Sequence, residues 1–504
     1  MRRRGWRDRR GGVALTIALS LLPLLAACGL ALDLARGWLA QSRLATAVDA
    51  AALAGGRAFS RPAAEREAAA LILFWANFGR QEINSASSTL GFMGAVAQPP
   101  VIDQPDVNTL RVTARASLPT VFMRIFGQSS MALRASATAA VQTDGMELAM
   151  ALDITGSMFP NGIAALRLAA ADLVGILYGD KETIPGLRVS IVPWAATVNL
   201  GAGHADWLAA GLLSAADYLP SSWAGCVEAR GNGHDATDAP PSVAPFTPYR
   251  WASTLNRYYS GTTVVAGDND WSLTRVTEAD RSLQNLAVGP NLGCPVDTVL
   301  PLTAEKSTLL ARIAALQVSF RGGTISNLGL QAAWFTISPR WRGLWGDASL
   351  PRDDGVPGNR KVVVLMTDGQ NNWFDYPAGA PGAAPVPYDG QTVDADYTGY
   401  GRLAENRLGI VTPVTGTLAA RTAAAIALNK AAISDRMQAM CTLLKAQGIT
   451  VYTITFNLND AATQSLYRNC ASTMTGYFNS PNQTALRQAF TQIGNELVTL
   501  RLTR

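Results

Sequence analysis

At 504 residues the chain is too long for one ordinary domain, and length alone suggests about three. A hydrophobic content of 48% with 16% charged residues excludes a disordered chain. The formal net charge of +5 overstates any basic surface, because Arg2, Arg3, Arg4, Arg7, Arg9 and Arg10 crowd the N-terminus against Asp8 alone. The rest is near neutral, and no basic stripe with interleaved aromatics argues for nucleic acid.

After these arginines, Gly12 to Leu32 holds 21 residues without a charge. At about 1.5 Å per residue the run rises roughly 31 Å, enough to cross a bilayer. Residues 1–11 therefore read as a cytoplasmic basic tail and 12–33 as a single-pass anchor, with the bulk exported by the positive-inside rule. A cleaved secretory signal is the first alternative, and the helical continuation DLARGWLAQSRLATAVDAAALAGG counts against it. The second is a bacterial lipobox, Leu25-Ala26-Ala27-Cys28, which would cleave the chain and acylate Cys28. Unbroken helical character beyond Cys28 favours the uncleaved anchor.

Four cysteines remain: Cys226, Cys294, Cys441 and Cys470. An even number in an oxidising compartment reads as two disulfides. Three pairings are open; Cys226 with Cys294 and Cys441 with Cys470 is preferred, each pair lying within one segment. No Cys-x-x-Cys spacing supports redox catalysis or zinc. His204 and His234 sit in a loop-rich stretch and read as solvated side chains.

Residues 34 to about 80 read as helix, interrupted at Gly55-Gly56 and Pro62, with Leu34, Trp38, Leu44, Val48 and Ala51 roughly on one side. Asp33 and Arg36, three apart, can meet on a helical face. NTLRVTARASL and MALRASATAAV then alternate apolar and polar residues, as antiparallel strands do. A long apolar helix passing into a small antiparallel sheet is the plan of type IV pilin-like proteins, so 34–143 is expected to be a pilin-like α+β region.

From 144 to 504 strand and helix patterns alternate. Candidate strands are Glu147–Asp153, Leu187–Trp194, Lys361–Thr367 and Thr450–Phe456. Candidate helices are Gly162–Tyr178, Ala304–Gln317, Asn327–Ile337, Ala419–Gln447 and Gln483–Leu500. Near-continuous apolar strands alternating with helices predict a doubly wound, mostly parallel α/β sheet covered on both faces. Two insertions, about 200–300 and 371–415, interrupt it, and loops this long in a compact domain are usually functional. The first reads equally as a partner-contact surface or a capping subdomain. Asp389, Asp394 and Asp396 in the second lack the fixed spacing of a calcium loop.

The segment Met146 to Met158, MELAMALDITGSM, carries the chemistry. A buried apolar strand runs into Asp153-x-Thr155-x-Ser157, placing a carboxylate and two hydroxyls on one turn. Hard oxygens at the C-terminal end of a strand suit a small divalent cation. RGGTISNLGL adds Thr324 in a Gly-rich loop before a helix, and VVVLMTDGQ adds Asp368 at the end of another buried strand. A general base is missing from this set. No histidine neighbours a ligand segment, Glu147 lies at the wrong end of its strand, and neither a nucleophile elbow nor a phosphate loop appears, so the chain is not expected to be an enzyme.

Together, Asp153, Thr155, Ser157, Thr324 and Asp368 resemble the metal-ion-dependent adhesion site of von Willebrand factor type A domains. Thr155 stands where that family usually has serine. The resemblance implies a doubly wound fold and a bound Mg2+, with Mn2+ or Ca2+ as alternatives. It implies that Asp153 and Asp368 supply charge, that Thr155 and Ser157 supply hydroxyl oxygens, that Thr324 joins on closure, and that a partner's Asp or Glu carboxylate completes the shell.

The order of parts narrows this further. An Arg-rich N-terminus, an anchor, LATAVDAAALAGGRA, a pilin-like region and a von Willebrand factor A domain are similar to the TadG-type (TadE/TadG-like) proteins of tight-adherence (Flp) pilus systems. LRVSIVPWAATVN, WAGCVEAR, SNLGLQAAWFTISPRW and the ending NCASTMTGYFNS…LRQAFTQIGNELVTLRLTR carry the same similarity. It implies a bacterial inner-membrane protein with a periplasmic bulk, assisting pilus assembly or anchoring through other pilus-system proteins. A surface-exposed adhesin for host or matrix ligands and a structural anchor with a vestigial metal site are the rival readings.

Overall fold

Small side chains repeat along one side of the first helix, and they set how closely it can lie on a sheet. The computed structural model describes residues 10–58, 62–79, 81–82, 89–106, 109–140, 145–253, 258–260, 263–265, 269, 289–373, 396–411 and 415–502. The arginines before residue 10, and Asp389 and Asp394, lie outside the described residues. Two compact units divide near residue 143, fewer than length alone suggests, because the insertions add to the second unit's core.

In the first unit, α1 (Arg10–Arg57) and α2 (Ala63–Phe78) pack on an antiparallel sheet of β1 (Val101–Asp106), β2 (Thr109–Pro119) and β3 (Ser130–Ala140). Short strands at 81–82, 89–90 and 96–97 extend it. Ala40, Leu44, Ala47, Val48 and Ala51 of α1 are fully buried with Val112, Ala114 and Leu118 of β2 and Phe74 of α2. The expected interruption at Gly55-Gly56 is corrected: α1 runs to Arg57 without a break. A Cβ on Gly55 would stand 2.2 Å from Leu110 Cδ2, so this glycine serves close packing, and burial overrides its low helix propensity. The break comes where Pro62 precedes α2. Arg36 does reach Asp33 at 3.3 Å, but Asp33 is chiefly an acceptor for the backbone N–H groups of Val121, Phe122 and Met123, at 3.0, 2.7 and 2.8 Å.

The second unit is built on β4 (Gly145–Asp153), β5 (Leu187–Trp194), β6 (Leu300–Thr303), β7 (Asn359–Thr367), β8 (Thr450–Phe456) and β9 (Tyr477–Ser480). Their order is β6-β5-β4-β7-β8-β9, all parallel except the antiparallel edge strand β6. Alternate residues of β4 divide between two cores. Met146, Leu148, Met150 and Leu152 face α3 (Asn161–Tyr178), α4 (Lys306–Ala315) and α8 (Gln483–Leu502). Ala149 and Ala151 face α5 (Ser326–Ile337), α6 (Leu418–Ala446) and α7 (Ala461–Cys470). Helices on both faces make this a doubly wound sheet. Strands β6 and β9 and helix α7 escape the sequence pattern; the two strands are four residues each, too short for a period to show. Helix α3 is apolar and long enough to cross a membrane, yet it is a core helix, its inner face buried against the sheet.

Disulfides join Cys226 to Cys294 and Cys441 to Cys470, closing separations of 68 and 29 residues. Loop closure alone makes each worth about 4 kcal/mol. The described part of the first insertion adds strands to the sheet edge at Val198–Asn199 and Cys226–Val227 and packs Trp207 and Phe246 into the core. His204 is corrected from a solvated side chain to a half-buried one, stacked on Trp207 with ring centroids 3.7 Å apart.

Two glycines test how tightly the helices are seated. A Cβ on Gly329 of α5 would fall 2.3 Å from Trp194 Cγ, whereas one on Gly175 of α3 would meet nothing within 4 Å. Gly329→Ala is expected to cost about 1–3 kcal/mol by overpacking. Gly175→Ala should gain about 0.5–1 kcal/mol from helix propensity. Denaturant unfolding of the full chain reads both.

Candidate metal centre

Strand β4 is buried along its whole length and ends on Asp153, which is itself fully buried. Strand β7 runs parallel beside it with Leu152 opposite Met366, so the next residues, Asp153 and Thr367, emerge together. These two strands mark the point where the sheet's winding reverses, and on such sheets the crevice beyond the strand ends holds ligands. A buried carboxylate needs partners, and Asp153 has them. Its Oδ1 accepts the Thr155 N–H at 2.8 Å; its Oδ2 accepts the Thr367 hydroxyl at 2.7 Å and the Asp368 N–H at 3.4 Å.

The first of these bonds folds the chain back into a short helical turn, Gly156–Met158, which brings both hydroxyls to one side. Thr155 Oγ1 and Ser157 Oγ lie 3.0 Å apart. Ser157 donates to Asp368 Oδ1 at 2.6 Å, and Thr155 Oγ1 lies 3.4 Å from the same oxygen. Thr324 comes from the far side. Its short strand Gly323–Thr324 pairs with Asn372–Trp373, just beyond Asp368. The Cβ position of Gly369 is 3.3 Å from Thr324 Oγ1 and 3.9 Å from Ser157 Oγ, so both hydroxyls border one cleft. That cleft, about 900 Å3, is lined by Thr155, Ser157, Thr324, Gly369, Gln370 and Lys430. All five sequence-selected residues thus meet at one place.

The electrostatics favour a cation. Burial and the neighbouring Asp153 charge push the Asp368 carboxyl up to about 7. Burial likewise raises Asp153, against the hydrogen bonds from Thr155, Thr367 and Asp368. No described lysine or arginine forms an ion pair with either carboxylate. A hard divalent ion would relieve this repulsion, and two carboxylates with three hydroxyls are the oxygen set it takes. Among the described residues no group of three His, Cys, Asp or Glu side chains is placed to hold a metal, so the hydroxyls are essential to any such site.

Sequence reasoning missed the residues that hold this set in place. Thr367 fixes Asp153, and Asn371 Oδ1 accepts the Ser326 N–H at 3.1 Å and its hydroxyl at 2.6 Å, positioning the start of α5. Their only signal is polarity inside TDGQN, directly after an apolar strand. Asp396 is not a calcium-loop residue: it makes a buried bidentate pair with Arg321, both contacts 2.7 Å, and accepts the Gly322 N–H at 3.0 Å. Gly322 has φ +96° and a Cβ there would lie 2.3 Å from that of Ala196, so only glycine fits this turn. Arg321 and Asp396 are 75 residues apart, and nothing local links them.

Comparison with known proteins adds three findings. Residues 11–58 match the family described as putative Flp pilus-assembly TadE/G-like. No curated protein sequence matches the chain. Among solved structures, it is similar to the von Willebrand factor domain of the type V pili tip protein Mfa5 from Porphyromonas gingivalis, at 12% identity and TM-score 0.35, covering 72% of this chain and 97% of that one. The pilus adhesin RrgA from Streptococcus pneumoniae gives 12% and 0.34, covering 83% and 52%. A mussel byssus protein, proximal thread matrix protein 1 with zinc in its metal-ion-dependent adhesion motif, gives 13% and 0.29, covering 71% and 46%. The chain therefore spans about half the length of these last two proteins.

Asp396→Ala is expected to cost about 3–5 kcal/mol by removing the carboxylate that pairs with the buried Arg321. Denaturant unfolding measures it; a cost below about 1 kcal/mol would mean that the Gly-rich loop does not depend on this pair.

Proposed function

We propose, for a chain whose residues 11–58 are TadE/G-like and whose larger unit is a von Willebrand factor A-like sheet, an envelope-anchored, metal-dependent protein-binding role in Flp pilus assembly or anchoring. The observation that carries it is the meeting of Asp153, Thr155, Ser157, Thr324 and Asp368 beside an open cleft, with one buried and one half-buried carboxylate and no described basic partner in an ion pair with either. A bound Mg2+, or Mn2+ or Ca2+ in its place, would offer a Lewis-acidic position to an incoming carboxylate. The chain's own residues do the remaining work. Asp153 is held by Thr367 and two backbone amides, so its charge stays at the strand end. Thr155 and Ser157 contribute neutral oxygens, which leave a divalent ion under-neutralised and so raise the value of a partner's Asp or Glu. Thr324, on its separate loop, is the member able to engage or withdraw.

The apolar start of α1 serves as a single membrane anchor, with the N-terminus cytoplasmic and both units periplasmic. Partner binding, not catalysis, is the chemistry this donor set supports. A surface adhesin would use the same site on a different partner, and a vestigial site would leave only the anchor.

The test is thermal unfolding of the full chain in detergent, with Mg2+ and with chelator, beside Asp153→Ala. A ligand confined to the folded state at a hundred times its dissociation constant adds about 2.7 kcal/mol. A Mg2+-dependent rise that disappears in Asp153→Ala is the expected outcome. Equal melting under all conditions would overturn metal binding and leave the structural anchor. If the ion binds but Asp153→Ala still captures pilus-system proteins, partner recognition lies elsewhere.

A further inference from the structure

The turn between β2 and β3, Val121-Phe122-Met123-Arg124-Ile125-Phe126, is apolar at every position but one, and it is exposed. Val121 is 54%, Ile125 78% and Phe126 69% accessible. Nothing in the first unit's core needs these side chains outward. Yet the turn is held firmly in this posture. The two oxygens of Asp33 accept the N–H groups of Val121, Phe122 and Met123, the Thr120 hydroxyl donates to the Gln128 carbonyl across the neck, and Gly127, at φ +88°, closes the turn. Phe122 lies against α1 at Gly29, where a Cβ would stand 2.6 Å from its Cγ.

The position along α1 decides what the turn meets. Gly29 lies inside the uncharged run that ends at Leu32, about 4.5 Å back from that end. Interfacial apolar segments bury themselves about 5–10 Å into the headgroup and acyl boundary. The same stretch of α1 exposes Leu24, Leu30 and Leu32, and Trp38, 71% accessible, follows about 9 Å beyond Leu32, where interfacial tryptophans sit. We propose that residues 121–126 form a second membrane contact, a wedge that inserts Val121, Ile125 and Phe126 into the lipid boundary beside α1. This rests on the anchor reading of 12–33. Continuity with that anchor selects lipid as the occupant, because the turn sits at a depth a soluble partner does not reach. Arg124, exposed at the centre of the turn, has a stem long enough to carry its guanidinium up to lipid phosphates. Asp33, at the end of the span, is consumed in fastening the wedge, which explains a carboxylate at that depth. Two attachments fix the tilt of the first unit on the membrane, where a lone helix would let it swivel.

Full-length protein is reconstituted in phosphatidylethanolamine–phosphatidylglycerol vesicles with a nitrobenzoxadiazole label on one thiol. Ile125→Cys and Phe126→Cys, each with Cys28→Ser, probe the turn. Glu67→Cys, with the same Cys28→Ser change, is the exposed control on α2. Native Cys28 probes the anchor. Blue-shifted emission at 125 and 126, quenched severalfold more than at 67 by lipids spin-labelled near the headgroup, is the expected result, and Asp33→Asn should weaken it. Emission at both turn sites equal to that at 67, with Cys28 still quenched by deep-labelled lipid, keeps the anchor and sinks the wedge. Blue-shifted emission without lipid quenching means that protein covers the turn, which also overturns it. An unquenched Cys28 removes the anchor and the wedge together.

Discussion

Two carboxylates held side by side at the ends of adjacent parallel strands are the constraint around which the larger unit is arranged. Asp153 is held in place, because its strand is buried on both faces and each of its oxygens accepts at least one hydrogen bond, from Thr155 on one and from Thr367 and Asp368 on the other. Asp368 cannot turn away without losing Ser157. The repulsion between them is a cost that burial sharpens, and a bound cation would relieve it. An arrangement that costs the isolated fold in this way is what a cation-binding role would ask of it.

The rest of the unit keeps that cluster in register. The Gly-rich loop bearing Thr324 rests on a small aromatic core of Cys226, Tyr249, Trp251, Leu292, Cys294 and Tyr397, with the Arg321 guanidinium 4.9 Å over the Trp251 ring. Tyr249 donates its hydroxyl to the Leu292 and Tyr397 carbonyls, which ties the two insertions together beneath the loop. Seen this way, the described part of the first insertion is neither filler nor a detached cap. Its disulfide holds the floor on which one member of the site stands. On the other flank Asn371 couples the Asp368 segment to the start of α5 and, through its 3.2 Å bond to Ser434, to α6.

Helix α1 changes character along its length. Its later part carries alanines and glycines toward a sheet, where small side chains permit close approach; its earlier part carries exposed leucines, which suit lipid. Asp33 falls at the change between the two, and its choice of partners is the local consequence. A carboxylate on an apolar helix is costly unless several donors meet it, and here three amides of one turn do so.

The sequence by itself determined whatever depends on short-range pattern. The apolar run before Asp153, the alternation in NTLRVTARASL, the uncharged N-terminal stretch and the one-segment cysteine pairs could all be read directly, because each reflects burial, local composition or membership of one chain segment. Asp153, Thr155, Ser157, Thr324 and Asp368 could be selected because their order along the chain resembles the metal-ion-dependent adhesion motif, and the structure places them together. Tertiary packing alone decided the remainder. Gly55 sits inside a helix because Leu110 presses on it, Asp396 binds Arg321 instead of an ion, and Thr367 secures Asp153 across a strand boundary. Strands β6 and β9 exist because longer neighbours offer them open hydrogen-bonding edges. Apart from β9, which pairs with the strand just before it along the chain, the partner is far away in sequence, so no local pattern could encode the contact, and only the folded chain brings the two groups within reach.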